Sequence, residues 1–232
     1  DPLVYPHPVT PKPGELTEVA PGILWLRLAL PFQLNHVNVY LIAHEGGWAV
    51  IDTGIGTDAT KATWEQVFAG PLKSAKITRL IVTHSHPDHI GLAGWLAERF
   101  KAPLVMTQTE YFHGLFHQTR RTEEQVQDQA EFYRKHGIGE EGVNALLGRG
   151  SNYLTRTTGL PPSFFRVKDG DSIDIGTRSF DVFTGGGHAL EQMMLLSRAD
   201  KLFFSADQVL SKISPNVSVW SMEPAANSLG FY

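Results

Sequence analysis

The stretch Thr83-His84-Ser85-His86-Pro87-Asp88-His89 constrains this chain more than any other. It places three imidazoles and a carboxylate within six consecutive residues, directly after the apolar run Leu80-Ile81-Val82. A short apolar run reads as a buried strand, and a sharp loop at its end can aim several polar side chains at one point. Neutral imidazole and carboxylate are ligand types that zinc, iron and manganese accept. A solvated polar turn would account for a single His-x-His, but not for four ligand-type side chains packed so closely. The stretch reads as a metal-binding loop.

Composition limits what else can contribute. The 232 residues contain no cysteine, so there is no disulfide framework and no Cys-ligated zinc, and every metal ligand must be His, Asp or Glu. Hydrophobic residues make up 42% and charged residues 19%, which argues for a folded chain that buries a full core, expected to be one domain over 1–232. A net charge of −4 leaves no electrostatic footprint for nucleic acid or a membrane surface, so the expected partner is a small-molecule substrate. No apolar run reaches the roughly 18 to 20 residues that span a bilayer, and no secretory pattern opens the chain, which points to a cytoplasmic location.

Taken in order, residues 1–14 carry five prolines and read as an extended arm. Leu16 to Leu30 reads as two short strands about the Pro21-Gly22 turn, with Ile23, Trp25 and Leu28 inward. A strand ending at Ile42 turns at Glu45-Gly46-Gly47 into Trp48 to Ile51, which delivers Asp52-Thr53-Gly54. Asp52 fits an Asx-turn or helix cap, and equally a group that holds a ligand imidazole. Asp58 is expected to cap a helix to Ala69, and Ile77 to Val82 is the strand feeding the histidine loop. Ile90 to Phe100 has helical spacing, and Pro103 to Met106 is the next strand.

A helical insert is expected over about 107–149, with Tyr111 and Phe116 on its aromatic stripe as candidate pocket residues. His113 and His117 stand four apart and read as surface or packing histidines. A second β-rich half follows: Phe164 to Val167, Ser172 to Ile175, Arg178 to Phe183, then Gly185-Gly186-Gly187-His188, and a hairpin of Met193 to Leu196 with Leu202 to Ser205 that ends in Asp207. Three consecutive glycines imply that something needs the backbone close by. Asn35-His36-Val37-Asn38 is a polar knot in an apolar strand, where His36 either touches substrate or stabilises a turn.

Four strand ends thus finish in ligand-type residues: Asp52, the His84 to His89 loop, His188 and Asp207. Strands of two similar halves doing so implies one site between packed sheets. On these motifs the chain resembles the metallo-β-lactamase-fold hydrolase superfamily, nearer its glyoxalase II-like and lactonase-like branches. The resemblance implies an α/β architecture, an αββα four-layer sandwich of two mixed sheets flanked by helices. It implies His84, His86 and His188 on one metal, Asp88 and His89 on a second, and Asp207 bridging them. It also implies two Zn2+ ions, with Fe or Mn as alternatives, and catalytic roles for His84, His86 and Asp88. Such a pair of metals activates a water for attack on a small ester, thioester or lactone.

The family's further His, in a turn after another strand, has no counterpart after Asp207, so a chain lacking its closing strand and helix is expected, with an open sheet edge that invites a homodimer. The alternatives are a mononuclear iron persulfide dioxygenase and a metal-binding domain without activity. His rather than Glu at position 86 favours hydrolysis over the redox chemistry of the family's diiron members.

Overall fold

A computed structural model describes residues 4–119, 121–148 and 152–232. The first three residues of the expected arm, and positions 120 and 149 of the expected insert, lie outside that range. In chain order the elements are strands β1 (Leu16–Ala20), β2 (Ile23–Ala29), β3 (His36–His44) and β4 (Gly47–Ile51), helix α1 (Asp58–Ala69), strand β5 (Ile77–Ile81), helices α2 (Pro87–Ile90) and α3 (Ala93–Phe100), and strand β6 (Leu104–Thr107). Helices α4 (Gln108–His117), α5 (Glu123–Lys135) and α6 (Glu140–Gly148) form the insert. Strands β7 (Phe165–Val167), β8 (Ser172–Ile175), β9 (Arg178–Gly185), β10 (Gln192–Ser197) and β11 (Leu202–Phe204) and helix α7 (Ser228–Phe231) complete the chain.

The strands form two sheets flanked by helices. The first runs β1-β2-β3-β4-β5-β6-β7 and is antiparallel up to β4, then parallel from β4 to β7. The second runs β11-β10-β9-β8 and is antiparallel throughout, where a mixed sheet was expected. Parallel strands need crossovers, and α1 and α3 supply them. Period-two alternation divides the first sheet's side chains between two cores. Leu26, Leu28, Val39, Leu41, Val50 and Leu80 face α1 and α3. Ile23, Ile42, Ile51, Ile81 and Val105 instead meet Phe180, Val182, Met193 and Leu195 of the second sheet. Strand β6 is buried at all four positions, as a parallel strand covered on both faces should be.

Several local expectations shift. Trp25 is only half-buried and donates its indole N–H to Asn38 Oδ1 at 2.9 Å, while Leu26 takes the fully buried position. The α1 cap is Thr57, whose hydroxyl accepts the Thr60 N–H, so Asp58 is instead the first helical residue, where its charge suits the dipole. The helix expected over Ile90 to Phe100 is two helices, because the metal loop already enters helical geometry at Pro87, which suits a first helical position.

Because β4, β5 and β6 run parallel, their C-terminal ends open on one edge of the sheet. Loops there hold polar groups that the core cannot, which is where open α/β sheets place their sites. Asp52, the Thr83 to His89 loop and the start of α4 all follow those ends. Among the described residues no helix is long and apolar enough to cross a membrane.

Candidate metal centre

Each ligand-type side chain is delivered by a strand end and held from behind. β5 ends at Ile81, and Asp52, at φ 63°, turns back so that its carboxylate lies beneath the loop. Asp52 Oδ1 accepts the Thr83 N–H at 2.8 Å, and Oδ2 lies 2.8 Å from His89 Nδ1. The structure therefore places Asp52 behind a ligand-type imidazole. With Nδ1 engaged, His89 presents Nε2 to the site. That atom is buried and has no hydrogen-bond partner, yet it lies 3.5 Å from both Asp88 Oδ2 and Asp207 Oδ2.

The remaining imidazoles close the cluster. His86 Nδ1 is 3.0 Å from His84 Nε2 and 3.0 Å from His188 Nε2, and His188 Nε2 is 3.4 Å from Asp207 Oδ2. Behind them, Thr83 Oγ1 sits 3.0 Å from His84 Nδ1, and His188 Nδ1 donates to the Asn216 carbonyl at 2.9 Å. An imidazole whose rear nitrogen is fixed in this way offers its other lone pair forward, the arrangement that metal-binding histidines favour. Two groups of ligand atoms lie within 4.8 Å of one another: His84, His86 and His188, and His84, His89 and Asp207.

Electrostatics agree with that donor set. Burial, then the neighbouring imidazoles His89, His86 and His188, hold His84 well below its ordinary pKa. Burial and His188 bring His86 down to about 3, so both are neutral and have lone pairs to give. Burial disfavours a charge on His89, but Asp88, Asp207 and Asp52 outweigh it and raise its pKa well above normal. The carboxylates that favour a proton on this ring would equally favour a metal cation in the proton's place. Burial likewise opposes ionisation of Asp207, yet His89, His188 and His86 bring it down to about 2. Two carboxylates facing four imidazoles call for a cation. An orphaned buried nitrogen, converging lone pairs and an oxygen–nitrogen donor set with no sulfur fit a divalent metal such as zinc, iron or manganese.

The three glycines before His188 are explained by packing. A Cβ at Gly185 would meet the Gln208 amide, and at Gly186 the Phe231 side chain. Gly187 has φ +87° and lies against Ser228 and Tyr232, so α7 seats directly on this turn.

A cavity of about 490 Å3 adjoins the cluster, lined by Asp88, His89 and Asp207 and by Tyr40, Phe204 and Ile213. His36 lines it, with its Nδ1 2.9 Å from Asn35 Oδ1, and Lys212 is the one Lys or Arg on its wall among the described residues. The other two substrate candidates are elsewhere. Tyr111 is a packing residue, buried, stacked on Phe164 at 4.0 Å between centroids and donating its hydroxyl to the Pro161 carbonyl. Phe116 lines a separate cavity of about 120 Å3 with His117 and Trp220.

Sequence reasoning missed the grip on Ser85. Its N–H donates to Glu110, its carbonyl accepts from Tyr153, and its hydroxyl lies 2.9 Å from His113 Nδ1. His113 is therefore no surface histidine, and its Nε2 continues to His117 Nε2 at 2.9 Å. The signal in the sequence was Glu110 itself, a charged residue on the helical face of Tyr111 and Gly114.

With its sandwich of two sheets and a His-x-His-x-Asp-His loop at their edge, the chain belongs to the metallo-beta-lactamase superfamily, whose family model matches residues 33–231. Among individual relatives, it is 25% identical over 208 residues to the probable metallo-hydrolase YqjP of Bacillus subtilis (strain 168), a match covering 84% of this chain and 59% of that protein. The chain thus spans about three fifths of the length of the curated relative it matches. A beta-lactamase domain protein from Burkholderia ambifaria superposes with a TM-score of 0.87 at 38% identity, over 98% of this chain and 68% of that one. A metallo-beta-lactamase family protein from Thermus thermophilus gives 0.77 at 26% identity, over 92% and 67%.

Proposed function

We propose that this chain is a metal-dependent hydrolase of a small ester, thioester or lactone, with a two-ion zinc-type site. The observation that carries the reading is the convergence of five ligand-type side chains from three strand ends, with Asp88 Oδ2 3.5 Å from His89 Nε2, on a cluster where that nitrogen is buried without a hydrogen-bond partner. His84, His86 and His188 would hold one ion, Asp88 and His89 the other, and Asp207 both. When bound, the ions supply a nucleophile at neutral pH and electrophilic stabilisation of the developing negative charge.

The chain's own residues do the rest. Asp52 fixes His89 through Nδ1, and Thr83 and the Asn216 carbonyl fix His84 and His188, so the donor atoms need no reorganisation during turnover. Asp88, part-exposed at the cavity wall, can orient the attacking water and accept its proton at a carboxylate oxygen. A cavity of about 490 Å3 suits a small molecule. Its apolar wall of Tyr40, Phe204 and Ile213 would carry the acyl or ring carbons, while Lys212 and His36 would meet a polar or anionic end.

The test is metal analysis of protein purified without added metal, together with esterase, thioesterase and lactonase assays on the parent chain and on His86→Ala. The reading expects bound divalent metal and turnover that falls by several orders of magnitude in the variant. Full activity in metal-free protein would sink it, and oxygen uptake with a persulfide in place of hydrolysis would redirect it to the dioxygenase chemistry.

A further inference from the structure

Glu110 is fully buried on α4, and its carboxylate reaches two separate stretches of main chain. Oε2 accepts the N–H of Ser85 at 2.7 Å, and Oε1 accepts the N–H of Glu191 at 2.8 Å. Ser85 lies between His84 and His86, and Glu191 lies three residues after His188. One side chain therefore ties together the two loops whose imidazoles meet at His86 Nδ1. A buried carboxylate is costly unless its oxygens are satisfied, and a Leu or Met would fill the same space without that cost. What the acid provides that an apolar side chain would not is an acceptor on each side.

We propose that Glu110 is a positioning residue of the metal centre: it sets the separation of the His84/His86 loop and the His188 loop, and hence the geometry of the three-imidazole set. The proposal rests on the metal-site reading above. Ligand distances in such sites hold within about 0.2 Å, so a loop displaced by a fraction of an ångström loses affinity. Helix α4 reinforces the arrangement one turn on, where His113 meets the Ser85 hydroxyl, and Tyr153 holds the Ser85 carbonyl. The insert thus acts as a buttress for the ligand loops.

Glu110→Gln keeps the shape but replaces one acceptor with an NH2 group facing an N–H donor. Glu110→Asp keeps charge and acceptors but is one methylene short of spanning both loops, and it carries the test if the Gln variant fails to fold. Zinc-loaded protein is titrated with a chromophoric chelator to read the Zn2+ dissociation constant. Both variants are expected to bind zinc about 10- to 100-fold more weakly. Tyr111→Phe, which removes a buried hydrogen bond from the same helix, is expected to bind zinc as the parent does, separating loop positioning from general loosening of α4. If the parent binds zinc and the Glu110 variants match it within about twofold, or if Tyr111→Phe weakens it equally, Glu110 has no positioning role. A parent chain that takes up no zinc overturns the metal-site reading and this proposal with it.

Discussion

His117 shows how a single side chain records its surroundings. Burial first, then His113 and Arg121, bring its pKa down to about 4 from an ordinary value near 6.5. Between those two values the unfolded chain binds a proton that the folded chain does not, so stability is complete above about pH 6.5 and declines as pH falls toward 4. Allowing for its partial exposure, the loss is on the order of 2 kcal/mol. His117→Phe keeps the ring beside Tyr153 and removes the titration. At pH 7.5 it should be less stable by about 1 kcal/mol for the lost hydrogen bond, and the gap should close or reverse at pH 4.5. Urea unfolding at the two pH values measures this, and an unchanged gap would contradict it. The contrast with the ligand set is instructive. His84, His86, Asp88 and His89 were legible because they are adjacent in sequence, and His188 and Asp207 because each ends an apolar strand. His113, Tyr153 and Asn216 were not, since each acts on a main-chain or side-chain atom brought near only by folding.

Helix α2 and the turn that follows β4 are joined so closely that the joint has no room for a Cβ. Thr53 donates both its N–H and its hydroxyl to the His89 carbonyl, at 2.8 and 2.7 Å, and Leu92 N–H returns to the Gly54 carbonyl at 3.2 Å. A Cβ at Gly91 would run into the backbone of Pro87, Gly54 and Gly56. Gly91 has an ordinary helical φ of −56°, so the constraint is space, not conformation. Gly46 is the opposite case, with φ +72° in the β3-β4 turn and nothing within 4 Å of where a methyl group would sit. Gly91→Ala should therefore cost about 3 kcal/mol or more, since main chain must move, and should displace His89. Gly46→Ala should cost only about 1 kcal/mol of backbone strain. Chemical denaturation of both variants checks the ordering, and equal costs would mean the joint is more pliant than its contacts indicate. Elements of this kind divide what sequence can reveal. Strands β8 and β9 and the β3-β4 hairpin follow from alternation and Gly-rich turns, whereas the break at Gly91 depends on a partner loop 35 residues earlier, from Gly56 to Gly91. The wholly antiparallel pairing of the second sheet follows from the short links between its consecutive strands, since a parallel pair would need a crossover of about a dozen residues or more.

At the scale of the molecule the ligand set belongs to both sheets: His84, His86, Asp88 and His89 follow β5 of the first, and His188 and Asp207 follow β9 and β11 of the second. Away from that edge the sheets are joined by an apolar core in which Ile42, Ile81, Phe180 and Met193 are fully buried. The core is non-directional, so it holds the sheets together without fixing their edge spacing to tenths of an ångström. Ions shared between the two sets of loops would fix that spacing and stabilise the fold by mass action, by about 4 kcal/mol at a free concentration roughly 1,000 times the dissociation constant. For a chain of this size that corresponds to a melting temperature roughly 8–16 °C higher with metal than after chelation. His188→Ala removes the second sheet's imidazole while leaving the inter-sheet core intact, so it should lower the melting temperature of metal-loaded protein and largely abolish the drop caused by chelator. Thermal unfolding of the parent and the variant, each with and without chelator, resolves the two contributions. If chelation leaves the parent's melting temperature unmoved, ions add nothing to the core and the Glu110 tie that already join the sheets.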